Sequence, residues 1–271
     1  MTRVALGIVL VAACLAAACG GGRSTVASVK VSPGRPAALA ATLARTDARL
    51  RTALQAWRAS DPSLRSAPDA ALLRLAARER AIVHELAPSP PLARATIARL
   101  PRGLAPTIRL EVAATVDLRR LSGPPSGKPV RLHLVPPLPA GTLLGYYRDA
   151  QARFGVRWQV LAAVNLIESA FGRVGNRSSA GAEGPMQFLP ATWKAYGLGG
   201  NVHDARDAIL GAANYLHASG APADERRALF AYNHSTLYVN AVLAYARAMT
   251  RDPLGFATFY AWEASLPASL T

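Results

Sequence analysis

Glu168 is the acidic residue whose position in this 271-residue chain best suits proton transfer. It follows Val164 by four residues and Leu161 by seven, so in a helix its carboxyl group lies on the apolar face. It also falls in the last turn of that helix, where the helix dipole disfavours negative charge. Both effects raise a carboxyl pKa and predict a proton donor near neutral pH, unless a partner from another helix satisfies the group.

Helices are expected to position this carboxyl group, because the chain is rich in Ala, Leu and Arg, which are good helix formers. Hydrophobic periodicity, interrupted by Gly and Pro, predicts an all-α fold with at most minor β structure. The helix that carries Glu168 is expected over about 157–171. Neighbouring helices are expected at about 142–154, 204–218, 223–232 and 236–250.

Three sequence blocks share the C-terminal half of the chain. Residues 167–171 read IESAF, residues 179–188 read SAGAEGPMQF, and residues 231–233 read AYN. In this order and at these spacings they resemble the blocks of lytic transglycosylases, in particular the soluble lytic transglycosylase-like catalytic domain of the lysozyme-like superfamily. The resemblance covers about 142–250 and implies a lysozyme-like helical catalytic domain that cleaves peptidoglycan glycan strands.

The first two blocks carry four of the site residues that the resemblance implies. Glu168 matches the catalytic acid and base, and Ser169 matches the residue that supports this acid, or the sugar, by hydrogen bonding. Met186 and Gln187 match the block that lines the glycan cleft, where Gln187 is suited to bonding an N-acetyl or hydroxyl group. These roles are expectations transferred position by position.

The third block supplies Tyr232 and Asn233, which the resemblance places where a later helix closes the cleft. The Tyr232 hydroxyl is expected to bond to the catalytic carboxyl group. The chain departs from the family pattern after the first block, where residues 172–176 read GRVGN and the segment is one residue longer. No role is transferred to this loop.

The blocks contain one suitable catalytic carboxylate, whereas most glycosidases use two. Glu183, the other acid in the blocks, is interpreted as exposed. A lone acid suits substrate-assisted cleavage between N-acetylmuramic acid and N-acetylglucosamine, with a 1,6-anhydromuramoyl product. The alternatives are a goose-lysozyme-like muramidase, in which water attacks, and a lipoprotein that binds peptidoglycan without cutting it. His203, His217 and His234 lack a metal-binding spacing, and we expect neither a metal nor another cofactor.

The N-terminus predicts export. Residues 1–19 carry Arg3 and then an apolar run that is too short to span a bilayer, which is typical of a signal peptide. Cys19, before a Gly-rich stretch, resembles the lipidated Cys of a bacterial lipobox. Cys14 is a second candidate, and plain secretion is the alternative. We therefore expect an exported protein of the cell envelope, anchored to the outer face of the membrane through a lipid.

Breaks in periodicity and Pro/Gly-rich stretches divide the chain. The expected segments are a signal peptide with lipobox at 1–19, a flexible tether at 20–38, an N-terminal helical region at 39–121, a linker at 122–141, the catalytic domain at 142–251 and a C-terminal tail at 252–271. Two roles are open for the N-terminal helices, which either pack on the catalytic domain or bind the wall with their basic surface.

The net charge of +15 is concentrated in the first half of the chain. Residues 1–139 hold 20 Lys and Arg against 7 Asp and Glu, a net +13, whereas residues 140–271 hold 11 against 9, a net +2. In an exported monomer this surplus fits anionic wall polymers or lipid headgroups as partners, and a solvated arginine-rich surface explains it equally well. Nucleic acid is not expected, because no basic stretch is interleaved with stacking aromatics.

Overall fold

The computed structural model describes residues 34–123 and 132–266. These two ranges contain the predicted N-terminal helices and the C-terminal half that carries the three blocks. The predicted signal peptide, with its candidate lipidation sites Cys14 and Cys19, lies outside the described residues. Within the described ranges no helix is long and apolar enough to cross a membrane.

The described residues form eleven α-helices and two isolated antiparallel bridges, which join Leu134 to Val174 and Glu183 to Phe188. The predicted all-α fold is confirmed. The helices before the linker are α1 (Arg35–Ser60), α2 (Ala70–Leu86), α3 (Pro90–Ile97) and α4 (Ala105–Ser122). The helices after it are α5 (Ala140–Phe154), α6 (Trp158–Ser169), α7 (Pro190–Tyr196), α8 (Ala205–Ala218), α9 (Glu225–Tyr232), α10 (Thr236–Arg251) and α11 (Gly255–Ala264).

The helix ends follow from residues that cap or break a helix. The Asp204 side chain accepts a hydrogen bond from the Asp207 backbone N–H and so begins α8. Gly155 ends α5 with a φ of 72°, a left-handed conformation that glycine adopts without strain. α1 begins inside the predicted tether, because Pro36 fits the first turn of a helix rather than an extended segment.

The helices on the two sides of the linker share one hydrophobic core. The most extensive helix contact joins α4, which precedes the linker, to α10, which follows it. α2 in turn packs against α11. The structure therefore shows the first of the two roles considered for the N-terminal helices, since they pack as an integral layer against the C-terminal half.

α11 corrects the prediction of a C-terminal tail at 252–271. Its sequence, GFATFYAWEA, is apolar nearly throughout, so it carries no amphipathic period and the helix is buried on almost every side. The Phe256 ring meets the rings of Phe171, Tyr147 and Trp158 edge-on, at centroid distances of 5.6, 6.0 and 6.0 Å. α11 thus fills the space between the N-terminal helices and the helix of Glu168.

Candidate active site

α6 places Glu168 in its last turn, as predicted, but the helix is more deeply buried than a single apolar stripe implies. Every residue from Val160 to Ser169 is buried. Glu168 is 7% exposed. Burial raises the pKa of its carboxyl group to about 7, although a hydrogen bond from Tyr238 acts in the lowering direction. The site therefore holds an acid that titrates near neutral pH.

Tyr238, in the first turn of α10, is the hydrogen-bond partner of Glu168. Its hydroxyl donates to Glu168 Oε1 at 2.6 Å. Burial, and then the nearby Glu168, raise the pKa of Tyr238 well above its usual value, so the phenol remains a donor. In the described part of the chain Glu168 Oε2 makes no hydrogen bond, which leaves this oxygen to carry the proton. The three blocks contained no signal for Tyr238, because it lies outside all of them.

Tyr232 corrects the expectation that the third block bonds to the catalytic carboxyl group. Its hydroxyl instead donates to the Met186 backbone carbonyl at 2.7 Å. Its ring stacks on that of Tyr238, with centroids 6.5 Å apart and planes 5° from parallel. Tyr232 therefore holds the second block in place and packs behind the tyrosine that does bond to Glu168.

Ser169 is fully buried, and its hydroxyl makes no hydrogen bond to Glu168 in the described structure. Its hydroxyl donates to the Pro185 carbonyl at 2.5 Å and accepts from the Gly172 N–H at 2.9 Å. One turn earlier, Asn165 Nδ2 donates to the same Pro185 carbonyl at 2.8 Å, and Asn165 Oδ1 accepts from the Tyr147 hydroxyl at 2.6 Å. The network ties the second block to α6, and a sugar contact by Ser169 stays a prediction.

Met186 and Gln187 lie in the loop that this network holds. The Met186 side chain is fully buried, so it packs in the core rather than facing solvent. Gln187 has a left-handed φ of 50°, which is uncommon for a residue with a Cβ. Its Nε2 donates to the carbonyls of Gly184 and Asn176 at 3.0 and 3.3 Å and so braces the loop. Sugar binding by Gln187 stays a prediction.

Gly184 shows why the second block requires a glycine. Its φ is +73°, and a Cβ at this position would lie 1.9 Å from the Val202 carbonyl oxygen. No side chain fits at that distance, so the backbone of the block packs directly against the segment that precedes α8. This close approach fixes the position of the loop relative to the segment before α8.

Asn233 ends α9 and is 1% exposed. Among the described residues its Nδ2 has no hydrogen-bond partner, although nearly all buried polar groups have one. Asn233 is therefore the residue of the three blocks with a buried donor that has no partner among the described residues. Its place next to Tyr232 agrees with the role that the resemblance implies, which itself stays a prediction.

Glu183 is held at the surface by two basic side chains. Arg177 donates to its Oε1, and His203 Nε2 lies 3.2 Å from its Oε2. The hydrogen bond from Arg177 lowers the pKa of Glu183, which is the opposite of what burial does to Glu168. Glu183 is thus an ionised carboxylate in ion pairs, and it is not suited to donate a proton. Across the described residues no cluster of three or more His, Cys, Asp or Glu is arranged to hold a metal ion.

The comparison with known proteins agrees with this geometry. Residues 145–253 match the family model described as the Transglycosylase SLT domain. The chain has no significant match among curated proteins or among solved structures. The resemblance drawn from the three blocks is confirmed at this level, and it supports peptidoglycan transglycosylase activity in general.

Proposed function

Because residues 145–253 match the family model of the Transglycosylase SLT domain, we propose that the chain cleaves the bond between N-acetylmuramic acid and N-acetylglucosamine without water, leaving a 1,6-anhydromuramoyl end. The observation that carries the proposal is the state of Glu168. Its pKa of about 7 allows both protonated and ionised forms at neutral pH, and Tyr238 fixes one of its two oxygens. A residue that acts first as an acid and then as a base needs both forms.

In the first step Glu168 Oε2 donates its proton to the glycosidic oxygen, and the bond from that oxygen to C1 of N-acetylmuramic acid breaks. The carbonyl oxygen of the substrate's own N-acetyl group bonds to C1 and compensates the positive charge that develops there. In the second step the Glu168 carboxylate takes the proton of the muramoyl C6 hydroxyl. The C6 oxygen then attacks C1 and displaces the N-acetyl oxygen, which restores the acid form of Glu168.

A single acid favours this path, because most glycosidases place a second carboxylate roughly 5 to 9.5 Å from the first. The pKa of Glu168 is shifted by burial and by Tyr238, and neither cause is another carboxylate of the described residues. Glu183 is already paired with Arg177 and His203. The substrate's N-acetyl group therefore takes the role that a second carboxylate has in other enzymes.

Product analysis on purified peptidoglycan tests the reaction. The wild-type chain should release muropeptides that are one water lighter than hydrolysis products. Glu168→Gln should release almost none while keeping the wild-type melting temperature. Glu183→Gln is the matched control, because it removes a carboxylate from the neighbouring block and should keep both the rate and the products.

Three outcomes would contradict the proposal. Products of ordinary mass would favour a muramidase in which water attacks C1. Sedimentation of the wild-type chain with cell walls, without any released fragment, would favour a binding lipoprotein. Full activity in a folded Glu168→Gln variant would remove Glu168 from the mechanism.

We also propose that the chain is exported and anchored to the membrane through a lipid on Cys19. The support is the sequence of residues 1–19 and the Gly-rich stretch after it. In a bacterial host the full chain should incorporate labelled fatty acid, Cys19→Ala should lose the label and Cys14→Ala should keep it. The reverse result would move the anchor to Cys14, and no label in the wild-type chain would indicate plain secretion.

A further inference from the structure

The helices α1 to α4 present many arginines to solvent and few acids. Residues 34–123 hold 15 Arg and no Lys, against 7 Asp and Glu. Thirteen of these arginines are exposed. Three of the fifteen, Arg35, Arg51 and Arg80, form ion pairs within the described residues. Arg35 is the exposed one of these three, so twelve exposed arginines form no ion pair with an acid of the described residues.

Five of the seven acids of this region have a partner within the protein or are buried. Asp69 caps α2, and Asp61 accepts hydrogen bonds from backbone N–H groups in the turn after α1. Glu85 forms a surface ion pair. Glu79 and Glu111 are buried, and burial raises the pKa of each carboxyl group. The surface of this region is therefore more cationic than its sequence charge indicates.

Two arginine pairs lie four residues apart on a single helix, Arg45 with Arg49 on α1 and Arg74 with Arg78 on α2. Like charges at this spacing lie on one face, where they repel each other and destabilise the helix. None of the four forms an ion pair with an acid in the described ranges. A partner that brings negative charge would remove this repulsion.

We propose that the arginine surface, meaning the exposed and unpaired arginines of residues 34–123, binds a flexible polymer of phosphodiesters. The planar guanidinium group donates two parallel hydrogen bonds to phosphate oxygens, which an ammonium group does not do. The region contains one aromatic residue, the buried Trp57, and so offers nucleobases no surface on which to stack. The recognised chemistry is therefore the phosphate backbone itself.

A polymer fits the arginine surface better than a membrane does. The four helices pack against one another, so their solvent-facing sides point in different directions and a flexible chain can follow them where a plane cannot. Helices that bind in a membrane surface also insert large apolar side chains. Among the described residues the exposed large hydrophobics are Leu138, Leu198 and Phe230, all outside 34–123. An anionic wall polymer bound here would retain the SLT domain beside its substrate.

Binding of the full chain to fluorescently labelled poly(glycerol phosphate) tests the proposal. The test quartet combines Arg45→Gln, Arg49→Gln, Arg74→Gln and Arg78→Gln. The control quartet removes the same charge from exposed positions of the SLT domain: Arg148→Gln, Arg206→Gln, Arg227→Gln and Arg247→Gln. The test quartet should bind about tenfold more weakly and with a shallower salt dependence, because fewer counterions are released, whereas the control should stay within about twofold of wild type.

An equal loss in both quartets would overturn the proposal, because net charge alone would then explain the binding. Equally tight binding of polyglutamate would overturn the preference for phosphate. Tighter binding to phosphatidylglycerol vesicles than to the polymer would assign the surface to a membrane. If the test quartet does not fold, the Arg45→Gln/Arg49→Gln double variant should still bind about threefold more weakly. The polymer is not a substrate of the proposed cleavage, so failure here leaves that function untouched.

Discussion

Glu168 in α6 and Glu79 in α2 are both buried glutamates, and burial raises their pKa values to about 7 and about 8. Each carboxyl group has one aromatic donor. The Tyr238 hydroxyl lies 2.6 Å from Glu168 Oε1, and the Trp262 indole Nε1 lies 3.1 Å from Glu79 Oε2. The same physical cause, burial, therefore raises the pKa of a carboxyl group in two regions of the molecule.

The difference lies in the surroundings of the two carboxyl groups. Glu79 lies where the N-terminal helices meet α11, and nearby acids such as Asp47 raise its pKa further. Glu168 lies at the end of α6 beside the second block, which Ser169 and Asn165 hold through the Pro185 carbonyl, and no neighbouring acid contributes to its raised pKa. A raised pKa thus reports burial, and the sequence blocks around Glu168, not its pKa, single it out as the candidate acid.

The largest expected effect is on the rate of cleavage, which should depend on Glu168 and not on the other buried glutamates. Glu168→Gln should slow cleavage by roughly 10² to 10⁴-fold, the contribution usual for a general acid. Glu111→Gln removes another buried carboxyl group whose pKa is raised, and it should leave the rate near that of wild type. Initial rates of muropeptide release measure both variants. A comparable loss in a folded Glu111→Gln variant would mean that burial, rather than position in the site, determines the effect.

The donor to Glu168 should control the pH dependence of the rate. Cleavage needs protonated Glu168, so the wild-type rate should decline as pH rises through about 7. Tyr238→Phe removes a hydrogen bond that lowers this pKa, so the decline should move to higher pH. At about pH 6 the rate should also fall about tenfold, because the carboxyl group loses its orientation. Tyr232→Phe should keep the wild-type midpoint, and a shift in that control would contradict the assignment.

The donor to Glu79 should affect stability instead of activity. Trp262→Phe leaves the buried Glu79 Oε2 without its hydrogen-bond donor, which should lower the free energy of unfolding by about 1–3 kcal/mol. The pH midpoint of cleavage should not change. Denaturant unfolding and a pH–rate profile measure the two quantities. A shifted midpoint would reveal coupling between the two buried carboxyl groups.

The smallest expected effect is on the change of the free energy of unfolding with pH. The pKa of Glu79 rises from its ordinary 4.5 to about 8 in the folded protein. Between these values the folded state keeps a proton that the unfolded state releases, so the free energy of unfolding falls as pH rises. Glu79→Gln should remove this contribution, at most about 1.4 kcal/mol per pH unit. Glu85→Gln, at an exposed position of the same helix, should keep the wild-type slope, and identical slopes in all three proteins would refute the explanation.

Spacing alone does not distinguish a catalytic glutamate from a structural one. Glu79 stands seven residues from both Leu72 and Leu86, just as Glu168 stands seven from Leu161. The spacing that predicts a carboxyl group on the apolar face at Glu168 therefore predicts one at Glu79 as well. The three sequence blocks made the distinction, since they are specific to a family of sites and not to buried positions.

Helix bounds were predictable because periodicity and capping are local properties of the sequence. Tyr238 was not predicted, because the turn between α9 and α10 decides which of two nearby tyrosines reaches Glu168. α11 was not predicted either, because a segment that is buried on nearly every side has no polar face to set a period. Both omissions concern contacts that exist only once distant segments meet.

The position of α11 along the chain also sets an order of events during synthesis. Phe171, in the turn after α6, has a φ of 61°, which is unfavourable for a bulky residue. Its ring packs on that of Phe256 in α11. Phe256 follows Phe171 by 85 residues, a delay of roughly 4 to 17 s at ordinary rates of translation. Until it emerges from the ribosome, the turn beside Glu168 lacks this support. The surroundings of Glu168 are therefore completed only after α11 has been made.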